Sequence, residues 1–207
     1  MSETFWDRVA QTYDADQVHI SGPDLASKIG ARLAADLHGE VVELACGTGQ
    51  HTLAYAPRCS SVIATDLSAP MLKEAGRKLG SLPNVTVRPA DATSTGLPEG
   101  SADAVVAVNL LHIVPDPAAM LAEARRLLRP GGVLVVADAT GQGLSPRQMV
   151  VSMWQILRRW GLRSGGGNLN QRALERLVHQ AGFVQLRGEL LTGRRMNAAY
   201  VRAVRPA

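Results

Sequence analysis

The 207-residue chain has two cysteines, Cys46 and Cys59, and no apolar run that approaches the length of a membrane-spanning helix. Two cysteines are too few for a disulfide framework, and they lack the spacing with histidine that a zinc site needs. We therefore predict reduced thiols and no metal. A spanning helix needs about 20 apolar residues, so none is predicted.

No secretory signal is predicted either, because the start MSETFWDRVA has no cationic segment followed by an apolar one. We therefore expect a cytoplasmic location. The sequence shows no low-complexity tract and no repeat at a fixed period. With 46% hydrophobic residues the chain can bury a full core, and we predict a single domain over residues 1–207.

The net charge of +4 is distributed unevenly along the chain. Residues 1–144 hold 11 Lys and Arg against 16 Asp and Glu, whereas residues 145–207 hold 11 against 2. The first part therefore suits a cationic ligand. The second part offers a positive surface to an acidic substrate, a phospholipid face or a nucleic acid, although most of its arginines are expected to be ordinary solvated ones.

Five short apolar runs alternate with segments of helical periodicity. They are rich in Val, Ile and Leu without polar alternation, which is typical of parallel strands covered by helices on both faces. The runs span residues 40–45, 61–66, 84–90, 102–109 and 132–138. Two more strand candidates, FVQLRGELL and NAAYVRAV, come after a final helix. This order predicts a doubly wound, mostly parallel α/β sheet of seven strands that ends in an antiparallel hairpin.

Capping residues mark where the helices begin. Ser68 and Asp116 each precede a proline in the first helical turn. The Pro-Gly-Gly segment at residues 130–132 is expected to end the helix that Asp116 begins. Further helices are predicted from Ser145 and from Asn170.

The stretch VVELACGTGQHT, residues 41–52, carries two glycines just after an apolar run. Gly47 and Gly49 have no Cβ, so the backbone can approach a ligand closely there. A dinucleotide fingerprint needs a third glycine three residues on, but that position is Thr52. A nicotinamide dinucleotide is therefore disfavoured.

Several motifs, in order, resemble those of the class I S-adenosylmethionine-dependent methyltransferases, of the small-molecule, type 11-like kind. ELACGTG is similar to the family's acid-x-Gly-x-Gly-x-Gly loop, with Ala45 at the first glycine position, where we expect only a slightly tighter turn. ATDLSAPML supplies Asp66, 19 residues after Gly47, at the spacing of an acid that binds a ribose diol. The resemblance implies a Rossmann-like fold, S-adenosyl-L-methionine as methyl donor and S-adenosyl-L-homocysteine as product.

The resemblance also implies which residues contact the cofactor. Leu67 and Met71 would pack on the adenine and its sugar, and Glu43 would meet the amino group. In PADATSTGL, Asp91 and Ala92 stand where the family reads the adenine edge, while Asn109 would lie beside the methionine part. The full predicted set is Tyr13, Glu43, Ala45, Gly47, Gly49, Asp66, Leu67, Met71, Asp91, Ala92 and Asn109.

Tyr13 enters this set through the N-terminal motif. FWDRVAQTYDADQ is similar to the family's FDxxAxxYD opening, in which a tyrosine closes over the cofactor. Phe5, Trp6 and Val9 lie at helical spacing and are interpreted as packing residues. We predict a helical cap over about residues 1–38.

The acceptor is less well specified. His112 follows the fourth strand, close to where the methyl group would be, and could act as the catalytic base or only line the pocket. Related enzymes that methylate nucleic-acid bases carry an [Asn/Asp]-Pro-Pro-aromatic motif at this point, whereas this chain has NLLH. Nucleic acid is therefore a disfavoured partner.

The segment from residue 145 to 160 gives the best sequence clue to the acceptor. Its apolar stripe, with arginines off it, fits a lid over the pocket, as part of an insertion over about residues 144–168 with a glycine hinge at residues 165–167. It equally fits an interfacial helix on anionic lipid, that is, a peripheral membrane contact. The stripe consists of Met149, Met153, Ile156, Leu157 and Trp160.

These observations predict a methyltransferase that acts on an oxygen, nitrogen or sulfur nucleophile of a small-molecule acceptor. Phospholipid N-methylation at a membrane surface, with phosphatidylethanolamine as acceptor, is the alternative among enzymes. A sensor or accessory subunit that binds the cofactor without turnover is the alternative from another class.

Overall fold

The computed structural model of the chain describes residues 4–161 and 169–207. In these residues we find seven β-strands, eight α-helices and a 3₁₀ turn at Ala56–Arg58. The strands are β1 (Gly39–Leu44), β2 (Cys59–Asp66), β3 (Val85–Pro89), β4 (Ala102–Val108), β5 (Leu128–Thr140), β6 (Val184–Thr192) and β7 (Asn197–Val204). The helices are α1 (Phe5–Val9), α2 (Tyr13–Ser21), α3 (Leu25–Asp36), α4 (Thr52–Tyr55), α5 (Ala69–Leu79), α6 (Pro117–Leu127), α7 (Pro146–Trp160) and α8 (Gln171–Gln180).

The strands form one sheet in the order β3-β2-β1-β4-β5-β7-β6. The first five strands along the chain pair in parallel, and β7 pairs antiparallel with both β5 and β6. The predicted doubly wound α/β class, with its seven strands and C-terminal hairpin, is confirmed. Strand β1 lies between β2 and β4, so the winding reverses there and opens a crevice at the carboxyl ends of the strands.

Strand β5 begins at Leu128, four residues before the start predicted from sequence. Helix α6 already ends at Leu127, and Leu128 is extended and pairs with Ala102. Arg129 precedes Pro130, and the α conformation is disfavoured for a residue before a proline, so the helix ends before Arg129. The Pro-Gly-Gly segment then runs along the sheet instead of ending the helix, because Gly131 and Gly132 exchange backbone hydrogen bonds with Arg205.

Helices cover both faces of the sheet, as its apolar strands require. On one face, Leu121 of α6 and Leu174 of α8 belong to a cluster with the inward residues of β1, β4 and β5. On the other face, Leu33 of α3 and Tyr55 of α4 pack against Val106 and its neighbours. Packing on both faces thereby fixes the position of the sheet and of its carboxyl edge.

Helix α7 begins where the sequence indicates. Ser145 caps it, and its side chain and that of Gln148 exchange hydrogen bonds with each other's backbone N–H. The helix joins the N-terminal segment, because Arg159 Nη1 donates to Asp16 Oδ1 of α2 at 2.7 Å. Residues 1–3 of the predicted cap and residues 162–168 of the predicted lid, which contain its glycine hinge, lie outside the described residues. The division into cap, domain and lid stays a prediction.

Candidate active site

A cavity of about 400 Å³ opens at the carboxyl ends of β1, β2, β3 and β4. Nine of the eleven residues predicted to bind a cofactor line it, although they come from five separate segments of the chain. They are Tyr13, Ala45, Gly47, Asp66, Leu67, Met71, Asp91, Ala92 and Asn109.

The glycine loop is held in shape by backbone hydrogen bonds. Cys46 N donates to Thr65 O at 2.8 Å, and Gly47 N donates to Asp66 Oδ2 at 2.8 Å. Gly47 has a φ of 55°, and the place where a Cβ would stand is open apart from Tyr13 Cε1 at 4.0 Å. Ala45 has a φ of 57°, a left-handed conformation that costs an alanine more than the glycine it replaces in the motif.

Gly49 and Glu43 are not among the residues that line this cavity in the described part of the chain. A Cβ on Gly49 would lie 2.8 Å from Leu79 Cδ1, so the missing side chain lets α5 pack closely against the loop. Glu43 Oε2 accepts hydrogen bonds from the hydroxyls of Thr52, at 2.5 Å, and Tyr55, at 2.8 Å. Burial raises the pKa of Glu43 to about 7, while those two hydrogen bonds oppose the rise.

Asp66 organises the second side of the cavity. Its Oδ2 accepts from Gly47 N, and its Oδ1 accepts from Ser68 N at 2.9 Å. Burial raises the pKa of Asp66, and the backbone N–H groups that bind it oppose this rise. The next residue, Leu67, is 70% exposed and stands on the cavity wall, which the buried Met71 also lines.

Asp91 sits in a tight turn after β3. Its Oδ1 accepts from Thr93 N at 2.8 Å and from Thr93 Oγ1 at 2.7 Å. Ala92 is buried beside it. After β4, Asn109 has a φ of 55°, and its Oδ1 accepts from Ala139 N at 2.9 Å. This bond fixes the Asn109 side chain between the ends of β4 and β5.

Tyr13 forms part of an aromatic cluster over the cavity. Its hydroxyl accepts from Gln17 Nε2 at 2.8 Å, and its ring packs edge-on against Trp6, with centroids 6.2 Å apart. Burial is the main reason why the pKa of Tyr13 rises to about 12, so the phenol stays protonated at neutral pH. Trp6 also packs against Phe5 and Trp160.

A second cavity of about 290 Å³ adjoins the first. The two share three wall residues, Trp6, Tyr13 and Asn109. Its other walls come from α2, from the ends of β4 and β5 and from α7. Apolar side chains dominate them, namely Ile20, Leu144, Met149, Met153, Ile156, Trp160 and Met196.

The residues of the apolar stripe predicted on α7 do not all face the same way. Met149, Met153, Ile156 and Trp160 line the second cavity, together with the buried Ser152. Leu157 does not, and it is 42% exposed. Four of the five stripe residues therefore face the cavity and Leu157 does not, while the role of the segment as a lid stays a prediction.

His112 lies on the wall of the second cavity, beside the boundary with the first. Its Nδ1 is 2.5 Å from Asp138 Oδ1. The Asp138 side chain is fully buried, and its Oδ2 has no hydrogen-bond partner among the described residues. An Nδ1–H that donates to the carboxylate leaves the lone pair on Nε2, so the imidazole can accept a proton there.

Comparison with known proteins finds similarity to methyltransferases. Residues 42–136 match the family model described as a methyltransferase domain. The chain is 34% identical over 136 residues to a demethylmenaquinone methyltransferase of Clavibacter sepedonicus, which covers 64% of this chain and 56% of that protein. It is 27% identical over 202 residues to a highly reducing polyketide synthase of Aspergillus terreus, which covers 87% of this chain and 8% of that protein.

Its fold is similar to that of a solved Thermotoga maritima protein, described as a SAM-dependent methyltransferase and possible histamine N-methyltransferase. The TM-score is 0.78 at 19% identity, over 97% of this chain and 98% of that one. Residues 42–136 carry a methyltransferase domain that is similar to those of the class I S-adenosylmethionine-dependent methyltransferases. The chain spans less than two thirds of the length of either curated relative.

The charge of the first cavity fits the cationic cofactor S-adenosylmethionine. Three carboxylates, of Asp66, Asp91 and Asp116, stand on its wall, and no Lys or Arg does so in the described part of the chain. A sulfonium and an ammonium suit such a site, and a phosphate does not. The open space above Gly47 admits a ligand where a Cβ would project.

Two residues of the methyltransferase site escaped sequence analysis. Asp138 ends an ordinary apolar strand, but β4 and β5 are neighbours in register, with Val108 opposite Ala137, and this brings the acid to His112. Trp6 was interpreted only as a packing residue, yet it lines both cavities. The sequence signal available for Asp138 was an acid at the end of one predicted strand, with a histidine just after the predicted strand that precedes it.

Among the described residues of the methyltransferase, none of the helices has the length and apolar character that crossing a bilayer would need. The same residues also bring no three His, Cys, Asp or Glu side chains together as metal ligands would be. Both cysteines are free and buried.

Proposed function

We propose that this methyltransferase transfers a methyl group from S-adenosylmethionine to a small, mostly apolar acceptor that carries a dissociable proton. One observation carries the proposal. Two cavities meet at Tyr13, Trp6 and Asn109, and the second has His112, held by a buried carboxylate, on its wall.

Cofactor binding would depend chiefly on Asp66. Its carboxylate oxygens accept the backbone N–H groups of Gly47 and Ser68, and lone pairs remain for the ribose hydroxyls. Leu67 offers an exposed apolar surface for a flat base, and the buried Met71 adds apolar surface to the same wall. Glu43 and Gly49 were predicted to contact the cofactor, but they do not line the first cavity. We therefore propose that these two residues shape the glycine loop instead.

The composition of the second cavity supports an apolar acceptor. Its walls are mainly aliphatic and aromatic, and its polar groups are few, among them His112, Gln17 and Ser21. A volume of about 290 Å³ is near the lower end for small-molecule sites. The similarity to a demethylmenaquinone methyltransferase agrees with an apolar acceptor. We favour a phospholipid amine less, because no acidic side chain among the described residues lines this cavity to receive an ammonium.

The chemistry that the bound cofactor supplies is an electrophilic methyl group on a sulfonium. His112 Nε2 takes the acceptor's proton, which increases the nucleophilicity of the atom that receives the methyl. Asp138 Oδ1 holds the Nδ1–H and stabilises the imidazolium that results. Trp6, Tyr13 and Trp160 exclude water from the junction of the two cavities.

The test is formation of S-adenosylhomocysteine with a panel of phenols, thiols, amines and phosphatidylethanolamine vesicles. We expect turnover with an apolar phenol or thiol and a large loss of turnover in His112→Ala. Asp66→Asn should weaken binding of the cofactor, measured by calorimetry, while His112→Ala should leave it unchanged. Tight cofactor binding without product from any acceptor would favour a sensor or accessory subunit, and absence of cofactor binding would refute the assignment altogether.

A further inference from the structure

We propose that the outer face of α7 binds an anionic lipid surface. This face consists of Val150, Val151, Trp154 and Leu157, with Arg147 and Arg158 beside them. This inference goes beyond the proposed function, because it concerns where the enzyme works and is measured without any methyl acceptor.

The outer face is apolar and open to solvent. Val150 is 68% exposed, Trp154 52%, Leu157 42% and Val151 38%. At 100° per residue these positions, i, i+1, i+4 and i+7, lie together on the side of the helix opposite Ser152, which is buried. Single exposed apolar residues are common on proteins, but a contiguous patch on one helix marks a contact surface.

The charge of the outer face indicates the occupant. The guanidinium of Arg158 lies over the Trp154 ring, with Cζ 5.1 Å from the ring centre, so the cation is held beside the apolar patch. Arg147 is on the same side at the start of the helix and has no ion-pair partner among the described residues. The sequence has no Asp or Glu from residue 139 to residue 174. An apolar face with a cationic rim and no acid matches an anionic bilayer surface.

A second copy of the chain fits this face less well. In a symmetric dimer each surface patch meets itself, so Arg147 and Arg158 of one copy would oppose those of the other. Anionic lipid neutralises both charges while Trp154 enters the interfacial region, where amphipathic rings are favoured.

The outer face is continuous with the acceptor cavity. Met149 and Met153 line that cavity, and they are also 50% and 53% exposed. They therefore form the boundary between the cavity and the outer face of the same helix. An apolar acceptor dissolved in the lipid could enter the cavity past these two flexible side chains without crossing water.

Co-sedimentation with vesicles tests the proposal. We expect the full chain to bind vesicles of phosphatidylglycerol and phosphatidylcholine, with weaker binding at high salt, and to bind phosphatidylcholine vesicles poorly. Trp154→Glu should weaken binding by roughly tenfold or more, since it removes buried apolar area and adds a repelled charge. Val184→Glu is the matched control, because Val184 is 39% exposed but lies on β6, and it should bind like the wild type.

Folding of each variant is checked by its affinity for S-adenosylhomocysteine, which the outer face does not contact. Loss of vesicle binding with cofactor affinity retained supports the proposal. Equal binding to neutral vesicles, equal binding by Trp154→Glu, or no binding by the wild type would overturn it. Self-association that Trp154→Glu abolishes, without vesicle binding, would assign the face to a second copy.

Discussion

The ring of Tyr13 lies parallel to the indole of Trp160, with centroids 5.8 Å apart and 5° between the planes. Tyr13 begins α2 and Trp160 ends α7, so this stack joins segments far apart in the chain. Asp16 reinforces the junction by accepting from Arg159 Nη1 and, at 3.3 Å, from Trp160 Nε1. Because Tyr13 is on the wall of both cavities, the position of α7 is coupled to the shape of each.

A double-mutant cycle should measure this coupling. Tyr13→Leu and Trp160→Leu each remove the stack, and we expect a coupling energy of about 0.5–1.5 kcal/mol in the free energy of unfolding, as for other aromatic pairs. The cycle of Tyr13→Leu with Trp154→Leu is the control, because Trp154 stands on the outer face of the same helix. Additive effects for the Tyr13 and Trp160 pair would show that the stack contributes nothing to the stability of the fold.

The buried carboxylate of Asp138 should matter for turnover more than for binding. Asp138→Asn keeps an oxygen that can accept from His112 Nδ1–H but removes the charge that stabilises the imidazolium. We expect kcat to fall about 10- to 100-fold with little change in acceptor KM, and His112→Ala to cost about 10²- to 10⁴-fold.

The pH–rate profile separates this role from a purely structural one. Loss of the base should make the rate depend less on pH, because no side chain then takes the acceptor's proton. Asp103→Asn, which removes a partly exposed acid at the amino end of β4, is the control and should keep the wild-type profile. A wild-type profile in His112→Ala would exclude the base assignment.

Sequence patterns predicted the sheet and most of the first cavity because both depend on local order. Strand ends bring Asp66, Asp91 and Asn109 to one edge once the strands are known to be parallel. The direction in which a side chain points at that edge depends on packing between elements, which local sequence patterns do not show. Glu43 was therefore expected at the ligand, whereas its carboxylate accepts hydrogen bonds from residues of α4. The link from Asp138 to His112 needs the register of β4 on β5, which the sequence does not display.

The two glycines of the loop should respond differently to an added methyl group. Gly47 and Gly49 both have positive φ, so alanine costs about 1–2 kcal/mol at either site. At Gly49 the new Cβ would also meet Leu79 Cδ1 at 2.8 Å and Cγ at 3.0 Å, and overpacking adds about 1–3 kcal/mol. Urea unfolding should therefore show the larger loss of stability for Gly49→Ala.

Cofactor affinity should show the opposite order. A Cβ at Gly47 projects into the first cavity, whereas one at Gly49 meets α5. Calorimetry with S-adenosylhomocysteine is expected to give the larger loss of affinity for Gly47→Ala, measured at a temperature where both variants are folded. A greater loss for Gly49→Ala would mean that Gly49, and not Gly47, is the glycine that the ligand approaches.

Glu43 should make the stability of the cofactor-free protein depend on pH. Its pKa rises from an ordinary 4.5 to about 7 in the folded state, chiefly through burial, with the Asp66 charge adding to the rise. The folded protein therefore binds more protons than the unfolded chain between these values. The stability linked to this carboxyl is fully present below about pH 4.5 and is lost as the pH rises to about 7, by at most about 1.4 kcal/mol per pH unit.

Glu43→Gln tests this directly, since the amide oxygen still accepts from Thr52 or Tyr55 and cannot ionise. We expect the free energy of unfolding of Glu43→Gln, relative to that of the wild type, to increase from pH 5 to pH 7. Above pH 7 this difference should stay constant. Glu40→Gln, at the half-exposed start of the same strand, controls for removal of a carboxylate. A constant difference between Glu43→Gln and the wild type across this range would show that Glu43 is not protonated by burial, and that Thr52 and Tyr55 suffice to keep it charged.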